Sequence, residues 1–358
     1  MKILYVTTVG ITMGFFKELI KELMEDGHTV DIATNETEYQ VPDFYRELNC
    51  KIYPLDCSRS PFDKGNIVAI KQIKQLVEKN QYDIVHCHTP IAAMCTRIAC
   101  RKIRKRGTKV FYTAHGFHFY NGAPLKNWLI YYPAEWICAF YTDVLVTINT
   151  EDYNRAQKHM HAKQIEYVPG VGIDVEKFAN IKVDRLEKRK ELGIPKDAFL
   201  LLSVGELNEN KNHQIVIRAL AEIEKDDIHY VVAGEGSLRN YLNDLAVSLG
   251  VSDRLHLLGF RDDVAELYKV ADLFIHPSYR EGLPVAVLEA TASGIPTIVS
   301  CVRGCRDIEK ENLFCPSEVK SLINKLEKYR NNNGLDFLFS SENINYRMEI
   351  LYENSSCT

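Results

Sequence analysis

The sequence predicts an α/β protein of two doubly wound domains, each built around a parallel sheet. Short apolar runs alternate with segments of helical period, which is the pattern of βαβ units around a buried sheet. The runs are KILYVTT, TVDIAT, YDIVHCH, KVFYTAH, DVLVTI and IEYVPG in the first half, then FLLLSVG, IHYVVAG, RLHLLG, DLFIHP and PTIVS after Gly170. A length of 358 residues also fits two domains of ordinary size.

The boundary between the domains is predicted at VPGVGID, residues 168–174, where a proline and two glycines interrupt the pattern. This places the first domain at residues 1–170 and the second at residues 171–340. The segment 341–358 contains ENINYRMEILYEN, which is predicted to form a short helix that packs back on the first domain.

Composition indicates a soluble globular protein, with 46% hydrophobic and 26% charged residues. A net charge of −4 disfavours a nucleic-acid partner held by bulk charge. The opening MKILYVTTVG is too short an apolar run for a signal peptide or a membrane span, so a cytoplasmic protein with reduced thiols is expected. Cys301, Cys305 and Cys315 lack the paired spacing of zinc sites, and no metal is expected.

Ligands of open α/β sheets bind beyond the carboxyl ends of the strands. In the second domain, three of these ends carry candidate binding residues: Gly205 and Lys211 in SVGELNENKNH, Gly234 and Gly236 in VVAGEGSL, and Arg261 in LHLLGFRDDV. A lysine at a predicted helix start opposes the helix dipole, so its position favours a bound phosphate. The glycines would let the backbone approach a ligand closely. For each piece alone, a solvated lysine or an ordinary strand-to-helix turn is the alternative.

The stretch REGLPVAVLEA ends a fourth strand and carries two acids. Its candidate residues are Glu281, Gly282, Leu283, Pro284, Val285 and Glu289. Pro284 fits the first helical position, and the amides around it form an anion site. Carboxylates beside that site would repel a bare phosphate but accept hydrogen bonds from sugar hydroxyls. The combination therefore predicts a nucleotide sugar as ligand.

Two other interpretations of these acids remain open. Paired carboxylates also occur in glycoside hydrolases, although phosphate-type loops in a doubly wound sheet favour that class less. For either residue alone, Glu281 could simply stabilise the helix start and Glu289 could be a surface acid.

In the first domain, histidines follow two successive strands: His86 and His88 in IVHCHTP, and His115 and His118 in FYTAHGFHFY. A buried, hydrogen-bonded histidine is the usual alternative for each, but two adjacent strand ends favour a common site. The first loop, TTVGITMG, contains Gly10 but lacks the dinucleotide fingerprint, so NAD is disfavoured.

Taken together, TAHGFHFY, PGVGID, SVGELNENKNH, GEGSL, LGFRDDV and EGLPVAVLEA resemble the family 4 retaining glycosyltransferases of the GT-B fold, in their capsule and exopolysaccharide branch. The resemblance covers roughly residues 1–307. It implies two Rossmann-like domains facing each other across a cleft. The second would hold the nucleotide sugar, by family habit a UDP-sugar, and the first a lipid-linked (undecaprenyl-type) or saccharide acceptor. It implies neither a metal nor another cofactor.

The resemblance also implies roles for the donor-side residues. Glu281 would face the transferred sugar and the reacting centre, and Glu289 would accept from the ribose hydroxyls. The backbone of residues 282–285 would line the sugar and phosphates. Lys211 would bind the diphosphate, whose developing charge it could stabilise without a metal.

On the acceptor side, the resemblance assigns His115 a contact to the donor sugar from the opposite domain. Gly10 corresponds loosely to the glycine loop of the family, and His88 and His118 are candidates for the same side. His115, Glu281 and Lys211 are thus the predicted catalytic set.

Two departures from the family pattern stand out. Many members have arginine where this chain has Glu206, five residues before Lys211. After Asp307, the expected glycine-rich segment and following strand are replaced by EKENLFCPSEVKSLINKLEKYRNNNG, which predicts an irregular edge of the second domain. These departures keep open a non-catalytic sugar-nucleotide-binding protein, and the fold also keeps open a nucleotide-sugar epimerase.

Residues 97–109, in TRIACRKIRKRGTK, contain seven basic residues and no acid. Ile91, Cys95, Ile98 and Ala99 supply an apolar stripe, so the segment is predicted to form a basic amphipathic helix suited to anionic lipid. A solvated helix end is the alternative. Peripheral attachment to the inner face of the cell membrane is the hypothesis.

Overall fold

The computed structural model describes residues 1–223 and 225–331. The chain divides into two compact units, one formed by Met1–Val171 and a second that begins at Gly172, so the division falls within VPGVGID. The helix predicted for residues 341–358 lies outside the described residues.

The first unit is built on a seven-stranded parallel sheet with the order β3-β2-β1-β4-β5-β6-β7. Its strands are β1 (Lys2–Val9), β2 (Thr29–Asn35), β3 (Ile52–Pro54), β4 (Ile84–His88), β5 (Lys109–Ala114), β6 (Val144–Thr147) and β7 (Gln164–Tyr167). Its helices are α1 (Lys17–Glu25), α2 (Phe44–Glu47), α3 (Gly65–Asn80), α4 (Pro90–Cys100), α5 (Leu125–Ala139) and α6 (Thr150–His159), with 3-10 turns at Gly10–Phe16 and Ile103–Arg106.

Both faces of this sheet are covered, which explains why its strands are apolar without alternation. On β1, Ile3 and Tyr5 pack into a core with Met13, whereas Leu4 and Val6 pack into the core on the other face. Successive side chains of a strand point to opposite faces, so one apolar run supplies both cores.

The second unit has the same construction around six parallel strands in its described part, ordered β10-β9-β8-β11-β12-β13. The strands are β8 (Phe199–Val204), β9 (Ile228–Ala233), β10 (Leu255–Gly259), β11 (Leu273–His276), β12 (Thr297–Ser300) and β13 (Leu313–Phe314). The helices are α7 (Val175–Asn180), α8 (Arg185–Glu191), α9 (Gln214–Glu222), α10 (Arg239–Ser248), α11 (Val264–Val270), α12 (Val285–Ala292), α13 (Cys305–Ile308) and α14 (Val319–Asn331), with 3-10 turns at Glu209–Lys211 and Ser252–Arg254.

Strand β13 corrects one expectation. The sequence after Asp307 predicted that the strand was missing, but Leu313 and Phe314 pair in parallel with Val299 and Ser300 of β12. Phe314 is fully buried in the core of the second unit. Two residues are too few to give a periodic pattern, which is why the sequence did not reveal this strand.

The basic amphipathic helix predicted over residues 97–109 is also wrong. Helix α4 ends at Cys100, a separate 3-10 turn covers Ile103–Arg106, and β5 starts at Lys109. The residues of the predicted apolar stripe that contribute to the core are Ile91, Cys95 and Ala99. Arg97 is itself buried, and its Nη1 lies 2.7 Å from Oε2 of Glu135 on α5. This apolar stripe stabilises the unit and is not available to lipid.

In the described part of the chain, no helix combines the length and the apolar character needed to cross a bilayer.

Candidate active site

Lys211 lies in the loop that follows β8, inside the 3-10 turn Glu209–Lys211. The Asn208 side chain caps this turn by accepting from the Lys211 amide at 3.0 Å. Asn212 then takes a left-handed conformation, with φ of 52°, and α9 begins at Gln214. Lys211 is therefore held by a capped turn and not at the start of an α-helix, which corrects the dipole argument made from the sequence.

The predicted glycines allow two loops of the chain to pack against each other. A Cβ on Gly234 would lie 1.9 Å from the Gly205 carbonyl oxygen, and one on Gly236 would lie 2.4 Å from the Leu207 carbonyl oxygen. A Cβ on Gly205 would meet Cε of Lys211 at 3.3 Å. The space left by the missing Cβ atoms is filled by neighbouring backbone at Gly234 and Gly236. At Gly205 it is filled by the Lys211 side chain.

Lys211 and Glu281 form an ion pair, although the sequence separates them by 70 residues. Lys211 Nζ donates to Glu281 Oε1 at 2.7 Å, and His276 Nε2 lies 2.9 Å from the same oxygen. Ser278 Oγ lies 3.1 Å from His276 Nε2. Among the described residues no donor reaches Oε2 of Glu281, so this oxygen can accept from a ligand.

The surroundings of Glu281 keep it ionised. Burial alone would raise its pKa, but the hydrogen bond from His276 and the charge of Lys211 hold the pKa well below its usual range. Burial lowers the pKa of His276, so this ring donates as a neutral imidazole. An ionised carboxylate can accept hydrogen bonds and face positive charge, but it cannot donate a proton.

The loop that carries Glu281 is tied down from two sides. Arg303 Nε donates to the Glu281 carbonyl oxygen at 3.0 Å, and Asn210 Nδ2 donates to the Arg280 carbonyl oxygen at 3.1 Å. A Cβ on Gly304 would lie 2.2 Å from the carbonyl oxygen of Gly282, so the two backbones are in close contact. Sequence reasoning missed these supports, since CVRGC was considered only as a possible metal cluster.

Helix α12 starts one residue later than predicted, because Pro284 takes the N-cap position and Val285 is the first helical residue. The Pro284 carbonyl accepts from Val287 at 3.0 Å. The first amides of the helix, those of Val285 and Ala286, have no acceptor within the helix and can bind an anion.

Glu289, on this helix, is half-buried and accepts from the Tyr268 hydroxyl at 3.0 Å. Burial raises its pKa, while the hydrogen bond from Tyr268 opposes that rise. No sequence pattern singles out Tyr268, which lies on α11.

Arg261 forms a separate cluster at the end of β10. Its Nε donates to Asp263 at 2.7 Å, and its Nη2 lies 3.1 Å from Glu191. Lys188 also pairs with Asp263 and with Glu191. The guanidinium is thus already engaged by carboxylates, and its binding to a donor stays a prediction.

In the first unit, the structure brings His88 and His115 together at the ends of β4 and β5. His88 Nδ1 lies 3.1 Å from His115 Nε2, and the rings of His86 and His88 lie 4.2 Å apart. Burial lowers the pKa of His86 to about 3 and that of His115 to about 4, and it lowers that of His88 well below its usual value. The cluster is therefore neutral at physiological pH.

Gly10 and His118 are the other candidates of this unit. Gly10 opens the 3-10 turn after β1, and a Cβ there would lie 2.5 Å from the Tyr39 carbonyl oxygen. The ring of His118 packs on Tyr131, with centroids 4.4 Å apart. Thr89, which the sequence did not single out, has a positive φ of 65° directly after His88. Such strain in a residue other than glycine is typical of functional sites.

The second unit also contains a cavity of about 490 Å³, and Tyr268, the partner of Glu289, is one of its lining residues. Phe199, Asp272 and Pro296 line it, and they stand at the amino ends of β8, β11 and β12. Ligands of open parallel sheets bind at the carboxyl ends, so this cavity is not the candidate site. Across residues 1–223 and 225–331, no three His, Cys, Asp or Glu side chains are grouped to hold a metal ion.

We predict that Lys211→Met lowers the free energy of unfolding more at neutral pH than at acidic pH. The folded-state pKa of Glu281 lies below its unfolded value, so its ionisation stabilises the fold above about pH 4.3 and this contribution is lost as the pH falls through the folded-state pKa. Without Lys211 the folded-state pKa rises. The difference in unfolding free energy between the two proteins should therefore be largest near pH 7 and should narrow as the pH falls through the raised folded-state pKa of Glu281 in the variant.

Lys196→Met is the matched control, because Lys196 is exposed and lies 3.9 Å from its carboxylate partner. Parallel stability curves for Lys211→Met and the unaltered protein down to about pH 3 would contradict the prediction.

Comparison with known proteins agrees with this architecture. Residues 2–149 match the family model described as glycosyl transferase 4-like, and residues 184–348 match that of glycosyl transferases group 1. The chain is 38% identical over 317 residues to the "Putative glycosyltransferase EpsD" of Bacillus subtilis (strain 168), covering 87% of this chain and 81% of that protein.

A second relative is the UDP-Gal:alpha-D-GlcNAc-diphosphoundecaprenol alpha-1,3-galactosyltransferase of Escherichia coli, 32% identical over 291 residues, or 76% of this chain and 74% of that one. Among solved structures, Anabaena HepE in complex with UDP-glucose superposes with a TM-score of 0.79 at 18% identity, covering 99% of this chain and 98% of that chain. The structural likeness shows the fold, and the sequence relatives show the family. The chain belongs to the family 4 (group 1) glycosyltransferases of the GT-B fold and is a transferase of the glycosyl-transferring class.

Proposed function

We propose that this glycosyltransferase moves a hexose or N-acetylhexosamine from a UDP-sugar to a lipid-linked or saccharide acceptor in cell-surface polysaccharide biosynthesis, with retention of configuration and without a metal. The observation that carries the proposal is the pairing of Lys211 with an ionised Glu281 at the carboxyl ends of β8 and β11. The Lys211 ammonium can bind a diphosphate, and the Glu281 carboxylate can accept hydrogen bonds from a sugar.

The diphosphate of the donor would bind to Lys211 and to the start of helix α12. Lys211 provides a positive charge, and the unpaired amides of Val285 and Ala286 provide donors. As the bond between sugar and diphosphate breaks, negative charge grows on the leaving oxygen. Donors fixed in advance stabilise that charge without reorganisation, which lowers the barrier.

Glu281 would act on the sugar without donating a proton. Its Oε2 can accept from a sugar hydroxyl, and its charge can stabilise the positive charge that builds on the anomeric carbon. Because the pKa of Glu281 is held well below its usual range, its carboxylate is a weak base, and the proton of the attacking acceptor hydroxyl would leave by another route. Transfer to an oxygen of the departing diphosphate, on the same face as the new bond, balances the reaction and retains the configuration.

Glu289 would hold the nucleoside. Its carboxylate is fixed by the Tyr268 hydroxyl, and carboxylate oxygens suit the paired hydroxyls of a ribose. In this arrangement Glu289 contributes to donor binding more than to turnover. His115 would contact the donor sugar through its imidazole, which is neutral and can form a hydrogen bond.

Two comparisons support the choice of substrates. The Escherichia coli relative is named for a UDP-Gal donor and a diphosphoundecaprenol acceptor, and HepE was solved with UDP-glucose. Both names point to a UDP-sugar, and the first supports a lipid-linked acceptor. An epimerase or a protein that only binds the donor would share the donor site, so the transfer assay below separates them.

The donor prediction concerns binding alone. A UDP-sugar should raise the midpoint of thermal unfolding, because a ligand that binds only the native state stabilises it by about 2.7 kcal/mol at 100 times its Kd. Glu289→Gln should weaken this shift, since an amide replaces one acceptor oxygen by a donor. Glu222→Gln, on the exposed end of α9, is the matched control. An absence of any shift with UDP- and GDP-sugars would contradict the donor assignment.

The transfer prediction concerns turnover. With a donor identified by its thermal shift, sugar transfer to an undecaprenyl-diphosphate-linked saccharide should fall about 100-fold or more in kcat for Glu281→Gln and for Lys211→Met. Glu222→Gln and Lys196→Met should keep the unaltered rate. Donor conversion without an acceptor would show an epimerase, and donor binding without conversion would show a binding protein.

A further inference from the structure

Helix α5 turns an apolar face to solvent. The exposed fractions of six large apolar residues on it, or at its end, run from 39% to 73%: Leu125, Leu129, Ile130, Trp136, Ile137 and Phe140. At about 100° per residue these side chains and the exposed Pro133 fall within an arc of roughly 140°. Surface helices usually expose a polar face, whereas α5 is apolar on its exposed side as well as on the side that packs on the core.

The opposite face of α5 is firmly docked, so the exposure does not come from a loose helix. Glu135 is buried and pairs with Arg97 at 2.7 Å, and it accepts from the Tyr112 hydroxyl at 3.1 Å. Cys138 and Ala139 are buried beside it. A fixed helix whose exposed side carries large apolar residues and, among charged side chains, only Lys126 marks an interaction surface.

The exposed charges of the chain segment that contains α5 have one sign, and Asp143, just beyond it, is paired with Arg104 and Lys163. Between residues 97 and 142 the only acid is Glu135, which Arg97 neutralises. The exposed charged residues of the same span are all basic: Arg101, Lys102, Lys105, Arg106, Lys109 and Lys126. Arg104 connects the basic residues to the apolar face. Its Nη1 donates to the Phe140 carbonyl oxygen at 2.8 Å, which places the basic 3-10 turn beside the end of α5.

We propose that the exposed face of α5 lies in the surface of an anionic bilayer, with its apolar side chains in the acyl boundary and the basic residues 101–106 on the lipid headgroups. An apolar face with a cationic border fits this partner better than a protein surface, since interfacial helices combine these two properties. The basic residues of segment 97–109 keep their predicted contact with lipid headgroups. The apolar stripe of that segment is buried, so α5 supplies the face that inserts into the bilayer. The proposal does not depend on the transfer reaction.

The test is flotation of the full chain with vesicles of phosphatidylcholine alone or mixed with phosphatidylglycerol. Binding is expected only to the anionic vesicles and should weaken as salt is raised. Leu129→Gln with Ile137→Gln should weaken binding at least 10-fold. Neutralising Lys102, Lys105 and Arg106 as glutamines should weaken it by on the order of 10- to 100-fold. Quenching of Trp136 emission by brominated acyl chains should report insertion of the face itself.

Matched controls come from the second unit. Leu186→Gln with Val247→Gln removes two equally exposed apolar side chains, and Lys182, Lys190 and Lys196 changed to glutamine remove three exposed cations. These variants should bind like the unaltered protein. The proposal is overturned if the full chain does not float with anionic vesicles, or if the α5 variant binds as well as the unaltered chain. It is equally overturned if the α5 variant only dissolves a dimer, which would show that a second copy covers the face.

Discussion

The ion pair between Lys211 and Glu281 is the interaction on which the donor-side arrangement depends. It joins the loop after β8 to the loop after β11, and His276 completes it from the end of β11 itself. The surrounding backbone is shaped to let the two charges meet, with Gly205 below the lysine and Gly304 against Gly282. Because the carboxylate is largely buried, with 12% of its side chain exposed, losing its partner would leave an uncompensated charge.

In the proposed function, this pair would also link the stability of the fold to sugar transfer. Without a donor, each charge compensates the other, so both can be held in place in a partly buried site. A diphosphate would share Lys211 with Glu281, and a sugar hydroxyl would then meet a carboxylate that is already fixed and ionised. Prearranged charges of this kind favour the transition state, since little has to reorganise during the reaction. Within the first unit, His88 and His115 provide neutral hydrogen-bonding groups.

Local patterns in the sequence predicted the eleven longer strands to within about three residues and the start of the helix in EGLPVAVLEA to within one, because burial and backbone geometry act over short spans. Strands β3 and β13 were not predicted, because they are only three and two residues long. Contacts between distant residues could not be predicted in the same way. Lys211 and Glu281 were singled out separately but not as a pair, and His276 was seen only as part of a strand. The basic segment predicts a lipid contact for Arg97, because its true partner Glu135 lies 38 residues away in the sequence.

A double-mutant cycle on the ion pair tests the account most directly. The free energy of unfolding would be measured at pH 7 for Lys211→Met, Glu281→Gln, the double variant and the unaltered protein. If the pair organises the site, each single change leaves a partly buried group unpaired, and the coupling energy should be about 1 to 3 kcal/mol. Single effects that add to within about 0.5 kcal/mol in the double variant would show that the two side chains act independently, and would contradict the account.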